Sequence, residues 1–505
     1  MEKGLTAAWS QLREGRGFVK FAPSMMYFVQ CGASAMLTPF LSVILSGKSL
    51  TKVQIGIVLA CPPLCSFFAS PLGGYIYDRS RESKVVWCFF TMAAALSMQL
   101  VLLTDNYFAL MGIISLTTCF SEPLNSILNH SVMVHLGDNK KDYGRHRLWG
   151  AVSWGIVSFV MGIVLTHQPI YWSFGGYLAG YSFCAILIIV FTFTSAHPEP
   201  VSEVELEESQ VSRLEEGKAG GDLHRADRII ENVDEIDSDT PFALPEPAPP
   251  LSMDEKLDTL SDLAPKLDPI SDSISEDDSA VQLETSSLRI IFKVMMKREV
   301  LVFYFLVYLM GVATSIIWGF LFLFIKDLGG SETLMGISLV FAMATEIPFF
   351  FFSGTLLSVF GEVWLIASAM IAYIIRVLGY SILVNPWWVL PLELLHGLSF
   401  GAMYAAGIHY SSTLFPPELS ATGQGIFSGI FSGLGPLTGS LVGGFMYQTC
   451  GPRQMFRVMS FIVSLGLLLL FATFWRELYM RLTIACARLR TLDELFRASN
   501  SPKHD

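Results

Sequence analysis

The sequence predicts an all-α integral membrane protein with twelve transmembrane helices, built as two six-helix bundles. Three observations carry that expectation. Of the 505 residues, 52% are hydrophobic and only 15% are charged, whereas a soluble chain carries about a quarter charged residues. Apolar runs of about 18 residues or more recur, each long enough to cross a bilayer. Lys and Arg also fall almost wholly in alternate intervals between those runs, the asymmetry that the positive-inside rule describes.

Residues 1–20 are expected to be a cytoplasmic N-terminus. They hold Lys3, Arg13, Arg16 and Lys20 and no early apolar core, so the first span, not a cleaved signal peptide, is the expected membrane signal. The N-terminal bundle is expected over 21–194, with spans at 21–45, 54–77, 85–104, 107–135, 147–167 and 170–194. Span 1 sets Tyr27, Gln30, Ser34 and Thr38 on one helical face, at spacings of three and four. Span 2, "PPLCSFFASPLGGYIYDR", combines prolines, phenylalanines and glycines ahead of the next loop. Span 4 places Glu122, Asn125, Ser126, Asn129 and Met133 on one face. Its sequon, Asn129-His130-Ser131, lies inside the span and is not expected to be glycosylated. Spans 3 and 6 carry no such stripe.

Residues 195–298 form the expected loop between the bundles. From Glu199 to Glu284 lie 25 of the 44 acidic residues and 6 of the 33 basic ones. That composition cannot bury a core and reads as a disordered cytoplasmic tether, with a docking site for a cytosolic partner as the alternative. The remainder of the chain is net basic.

The C-terminal bundle is expected over 299–475, with spans at 299–325, 333–358, 362–383, 386–413, 420–447 and 455–475. Span 7 offers Tyr304, Tyr308, Ser315 and Trp318; span 10 offers Glu393, His396, Phe400 and Tyr404. Span 8, "EIPFFFFSGTLLSVFGE", echoes span 2, the kind of internal repeat left by transporters with two related bundles. Span 11 contains "SGLGPLTGSLVGG". No strand precedes it, so it is not a dinucleotide loop, and small residues spaced by four let helices approach closely. Span 12 has no polar stripe. Residues 476–505 alternate basic and apolar groups and are expected to lie on the cytoplasmic membrane face. With the N-terminus inside, 27 of the 33 Lys and Arg fall in cytoplasmic segments, five fall outside, and Arg376 alone lies within a span. Both termini are therefore expected in the cytoplasm, in a plasma or organelle membrane.

Polar stripes on spans 1, 4, 7 and 10 predict a shared water-accessible cavity, although any one stripe is equally explained by helix–helix contact. Counted from their outer ends, Glu122 and Glu346 lie about 13–15 residues inward and Glu393 about seven. A buried arginine needs a counter-ion, and Glu346 or Glu393 is the expected partner of Arg376. Glu393 is then either half of a structural ion pair or a proton carrier. Burial disfavours an ionised carboxyl while a neighbouring cation favours it, and a carboxylate held between the two can load and release a proton. Glu122, with no intramembrane cation in its own half, is a rival for the proton or a binder of a cationic solute. His396 can relay a proton or donate to solute; His409 is expected to be structural. The eight cysteines show no zinc or redox spacing and are expected to be buried free thiols. No nucleotide loop, catalytic triad or metal-ligating cluster is present, so neither an enzyme nor an ATP-driven pump is expected, and no cofactor, metal or nucleic-acid partner.

On these residues the chain resembles the major facilitator superfamily, over all but the acidic loop and the two ends. "GGYIYDRSRESK" is similar to that superfamily's cytoplasmic gate motif, with Gly74, Asp78 and Arg79 in place but Arg81 and Glu82 departing from it. Its second-half copy keeps Gly354 and Gly361 and has Ser358 where the motif has aspartate. "YGRHRLWGAVSWG", "ATEIPFFFFSG", "NPWWVLPLELLHGLSFG" and "ATGQGIFSGIFSGLGPLTGSLVGG" resemble the branch that contains major facilitator domain-containing protein 6. Bacterial sugar–proton symporters are more distant members of that group. The resemblance implies alternating access, a cavity between the halves and coupling to a proton gradient; His396 resembles the sugar symporters' functional histidine within a different charge pattern.

The expected function is secondary active transport: proton-coupled symport of a small organic solute, by a monomer embedded in the lipid bilayer. Glu122, Glu346, Arg376, Glu393 and His396 are expected to couple and recognise; Tyr27, Gln30, Asn125, Asn129, Tyr308, Trp318 and Tyr404 to shape the cavity. Gly74, Asp78, Arg79, Arg145 and Arg147 are expected at the cytoplasmic gate. A uniporter of the same fold, or a membrane receptor or scaffold without flux, are the alternatives.

Overall fold

The computed structural model describes residues 16–136, 143–190, 289, 291–416 and 419–499. Most of the expected N-terminal segment and nearly all of the acidic loop lie outside the described residues. The described chain is helical, with no strand among the described residues. Its spans are α1 (Phe21–Gly47), α2 (Lys52–Arg79), α3 (Ser83–Leu103), α4 (Tyr107–Leu136), α5 (Gly144–His167), α6 (Tyr171–Val190), α7 (Arg298–Asp327), α8 (Glu332–Phe351), α9 (Glu362–Ile382), α11 (Thr422–Cys450) and α12 (Pro452–Arg476). Between α9 and α11, the pair Pro386–Glu393 and Gly397–Thr413, bent by 42°, forms α10.

Local chemistry explains where these helices begin and end. Thr51 and Gln54 form a reciprocal capping box at the start of α2, each side chain accepting from the other's backbone N–H, at 3.2 and 2.9 Å. The Asn106 side-chain oxygen accepts from the backbone of Phe108 and Ala109 at the start of α4, and Ser331 caps α8 through Leu334 N. Gly329 and Gly451, both at φ +80°, turn the chain after α7 and α11 in a conformation that side chains disfavour. Span 8 was expected to run to 358, but α8 stops at Phe351 and a separate short helix covers Ser353–Phe360. The helix of α12 continues beyond a break at Phe474 as far as Ser499.

Two close-packed groups of helices result. In the N-terminal half, α2 and α4 run side by side: Ser70 meets Ser126 at 2.9 Å and Tyr77 meets Ser131 at 3.1 Å. Pro123 lies where a Cβ on Gly73 would have to be. In the C-terminal half, the glycines of α11 admit α7: a Cβ on Gly439 would lie 2.5 Å from the carbonyl oxygen of Val312, and one on Gly435 2.8 Å from Gly311 Cα. Ser315 and Ser440 bridge the same pair at 3.2 Å.

The halves join at the end of the bundle away from the chain termini. A Cβ on Gly56 of α2 would lie 2.5 Å from the Ser440 carbonyl oxygen and 2.9 Å from Gly444 Cα of α11. Nearby, the Val53 N–H donates to Gln448 Oε1 at 3.0 Å, and Lys52 lies 4.0 Å from Asp327. Between α5 and α8, Thr166 and Thr333 hydroxyls meet at 2.8 Å, and a Cβ on Gly336 would lie 2.7 Å from the Ser158 carbonyl oxygen. At the opposite end Asp78 and Arg79 are exposed and make no ion pair with a described residue. Asp78 and Arg79, expected at the cytoplasmic gate, thus stand unpaired among the described residues at the end opposite to the one where the halves meet; Arg145 and Arg147 each have a partner.

Candidate functional site

The site is built from α8, α9 and α10. Arg376 and Tyr380 are four apart on α9 and share a face. On α10 the helix Val389–Glu393 ends, the chain bends, and a π-helical segment runs from Gly397 to Ala402. The bend places His396, and the π-segment Ser399, inward beside Glu393; π-segments of this kind recur at functional sites. The Gly397 N–H donates to Thr345 Oγ1 of α8 at 3.1 Å, which sets His396 against Glu346.

Arg376 donates to four neighbours. Its Nη2 reaches Glu393 Oε2 at 2.6 Å, Nε reaches the Tyr380 hydroxyl at 2.6 Å, and Nη1 reaches both His396 Nδ1 at 2.9 Å and Ser399 Oγ at 3.3 Å. The Tyr380 hydroxyl in turn donates to Glu393 Oε1. A guanidinium has no acceptor, so His396 Nδ1 must accept. The ring proton is therefore on Nε2, which donates to Glu346 Oε2 at 2.9 Å. A second ring proton, on Nδ1, would face the guanidinium and break that contact. The result is one continuous chain, Glu393–Arg376–His396–Glu346, with two carboxyls and a single fixed cation.

The two ends of this chain differ in access. The Glu393 side chain is 3% exposed, against 12% for Glu346. An ionised carboxylate at the closed end is tolerable because Arg376 and Tyr380 supply charge and hydrogen bonds. Among the described residues Glu346 has only the imidazole N–H. The Phe400 ring stacks on His396 at 5.4 Å, and the edge of Trp318 meets it at 6.0 Å. Trp318 also meets Trp154 of α5 at 6.4 Å, joining the halves. Arg376, Glu393 and His396, with Ser338 of α8, form the polar wall of a pocket. Its other walls are Pro39, Ile317, Trp318, Phe322 and Leu339 with their neighbours.

In the N-terminal half, the Tyr27 hydroxyl donates to Asn129 Oδ1 at 2.6 Å and Gln30 Nε2 donates to Asn125 Oδ1 at 3.2 Å. This tie between α1 and α4 follows the two predicted stripes. Glu122, on the same face of α4, has no hydrogen bond or ion pair with a described residue.

The structure thus brings Glu346, Arg376, Glu393 and His396 together, sets Trp318 beside them, and places Glu122 with Tyr27, Gln30, Asn125 and Asn129 in the other half. The pocket is lined from α1, α7, α8, α9 and α10, without α4. Tyr308 is half-buried and does not line it. Tyr404 packs in an aromatic group with Phe400, Phe427 and Phe431. Tyr304 and Ser315, members of the span 7 stripe, bond within their own half, to Ser411 and Ser440. His409 pairs with Glu362 at 3.0 Å near the terminal end of the bundle. Cys450 is exposed, against the expectation of burial, because it ends α11. Tyr380 and Ser399 were missed, although Tyr380 lies four residues from Arg376, the spacing that marks a helical neighbour.

The MFS_1 like family model matches residues 22–458. Maltose permease of Geobacillus stearothermophilus is 22% identical over 454 residues, which cover 90% of this chain and 94% of that protein. A major facilitator superfamily domain-containing protein 6-like protein of Danio rerio is 31% identical over 161 residues. That match spans 31% of this chain and 29% of the relative's length. Among solved structures, the nucleoside transporter NupG superposes with a TM-score of 0.64 at 14% identity, over 90% of this chain and 99% of that one. A POT family transporter in complex with 5-aminolevulinic acid gives 0.57 at 12% identity, over 92% and 96%. At these identities the likeness is one of fold.

Proposed function

Because the chain belongs to the MFS_1 like family, we propose that it is a secondary active transporter that symports a proton with a small organic solute by alternating access. Its halves are the bundles at 21–194 and 299–475, both termini lie in the cytoplasm, and the resting cavity faces that side. The observation that carries the reading is the buried chain Glu393–Arg376–His396–Glu346. With both carboxyls ionised it is one negative charge in excess, and one proton neutralises it.

Glu346 loads the proton, since it is the more exposed carboxyl and has the weaker partner. Its loss of charge weakens the hold on His396 Nε2. The imidazole is then free to turn, and Arg376 loses one acceptor. In this way protonation at the accessible end alters the polar wall that a solute meets. The Glu393–Arg376–Tyr380 group holds α9 and α10 together while this happens.

The experiment is tracer uptake into proteoliposomes with and without an imposed pH gradient, using maltose, uridine, phenethylamine and 3-phenylpropionate. Uptake driven by the gradient supports the proposal. Uptake of any of these that ignores the gradient points to the uniporter instead.

A further inference from the structure

Two acceptors of the N-terminal half, the Glu122 carboxyl and Gln30 Oε1, have no donor among the described residues. Glu122 is half-buried on α4 without a hydrogen bond or ion pair to a described residue. One turn along, Asn125 Oδ1 takes the Gln30 Nε2 proton, and Gln30, only 2% exposed, keeps its Oε1 buried with no donor. A buried acceptor without a donor is costly. Asn129 Oδ1 already accepts from Tyr27. Fixed cations do not supply the missing protons: Arg376 is committed to α9 and α10, and Arg145 and Arg147, at the terminal end of α5, have partners of their own.

We propose that Glu122, Gln30 and Asn125 form the subsite for a protonated amine on the transported solute, which rests on the transport reading above. An ammonium is a compact cation with three N–H donors. It offers Glu122 the charge it lacks and Gln30 Oε1 the donor it lacks. A solute carboxylate would add a second negative charge beside Glu122, and a neutral sugar would leave the first one uncompensated.

The test uses the full chain in lipid nanodiscs, with phenethylamine, 3-phenylpropionate and maltose titrated calorimetrically at neutral pH. The expected result is binding of the amine and not of the other two. Glu122→Gln should weaken amine binding about tenfold or more at an unchanged unfolding temperature, while Glu122→Asp should retain part of it. Equal amine binding by Glu122→Gln overturns the proposal, as does failure of the amine to bind at millimolar concentration. Amine binding that depends on Glu122 but brings no flux upholds the subsite and removes the transport reading. Flux of maltose or phenylpropionate without amine binding does the reverse.

Discussion

Gly397 lies so close to α8 that a Cβ on it would sit 2.4 Å from the carbonyl oxygen of Thr345 and 2.9 Å from the amide nitrogen of Glu346. Only hydrogen in that position lets α10 press its bend onto α8 and bring His396 to Glu346. Gly397→Ala must push the helices apart. Overpacking of this kind costs about 1–3 kcal/mol, so the variant should fold with a lowered unfolding temperature and lose most gradient-driven uptake. Gly401→Ala, whose Cβ would lie 3.2 Å from Phe349 Cβ, should be milder in both assays. An uptake rate for Gly397→Ala equal to that of the parent chain would show that the His396–Glu346 contact is dispensable.

Removing one member of the Arg376–Glu393 pair should destabilise strongly. Both side chains are about 95% or more buried, and an orphaned charge at such a site costs about 3–5 kcal/mol. Glu393→Gln and Arg376→Gln are expected to give poor yields by fluorescence-detected size exclusion. Arg376→Met combined with Glu393→Leu should recover yield, since apolar replacement of a buried pair is often neutral or stabilising, but should not recover uptake. Wild-type stability in Glu393→Gln alone would mean that the pair carries little.

The contact of Gly56 with Gly444 and Ser440 closes one end of the bundle. Gly56→Leu should hold that end open. Ser338, 1% exposed and part of the cavity wall, then becomes reachable. A cysteine introduced there should react several-fold faster with a membrane-impermeant maleimide added from the side away from the termini. No acceleration would show that closure does not depend on this contact.

Epitope tags at the two termini should be detected in cells only after permeabilisation, as expected from the 27 of 33 basic residues on that side. Labelling of either terminus in intact cells would reverse the orientation for a chain at the cell surface.

Much of the fold was legible because hydropathy marks a span directly: the expected 107–135 and 362–383 correspond to Tyr107–Leu136 and Glu362–Ile382. The Arg376–Glu393 pair was legible as one of two options, since a lone cation in a span needs a counter-ion. The bend in α10 and its π-segment were not, because they lie in the backbone hydrogen-bond pattern and leave no mark on side-chain periodicity. That bend decides that His396 stands between Arg376 and Glu346. Tyr304 and Ser315 show the converse: a polar stripe reads the same whether it faces a cavity or bonds a neighbouring helix.

The most direct test of proton coupling is solute-evoked current on a solid-supported membrane, recorded with and without a pH gradient for the parent chain and for Glu346→Gln. The parent should give a current that grows with the gradient, and Glu346→Gln should bind the same solute yet give a current that no longer responds to pH. An identical pH response in the two proteins would contradict the assignment of the proton to this network.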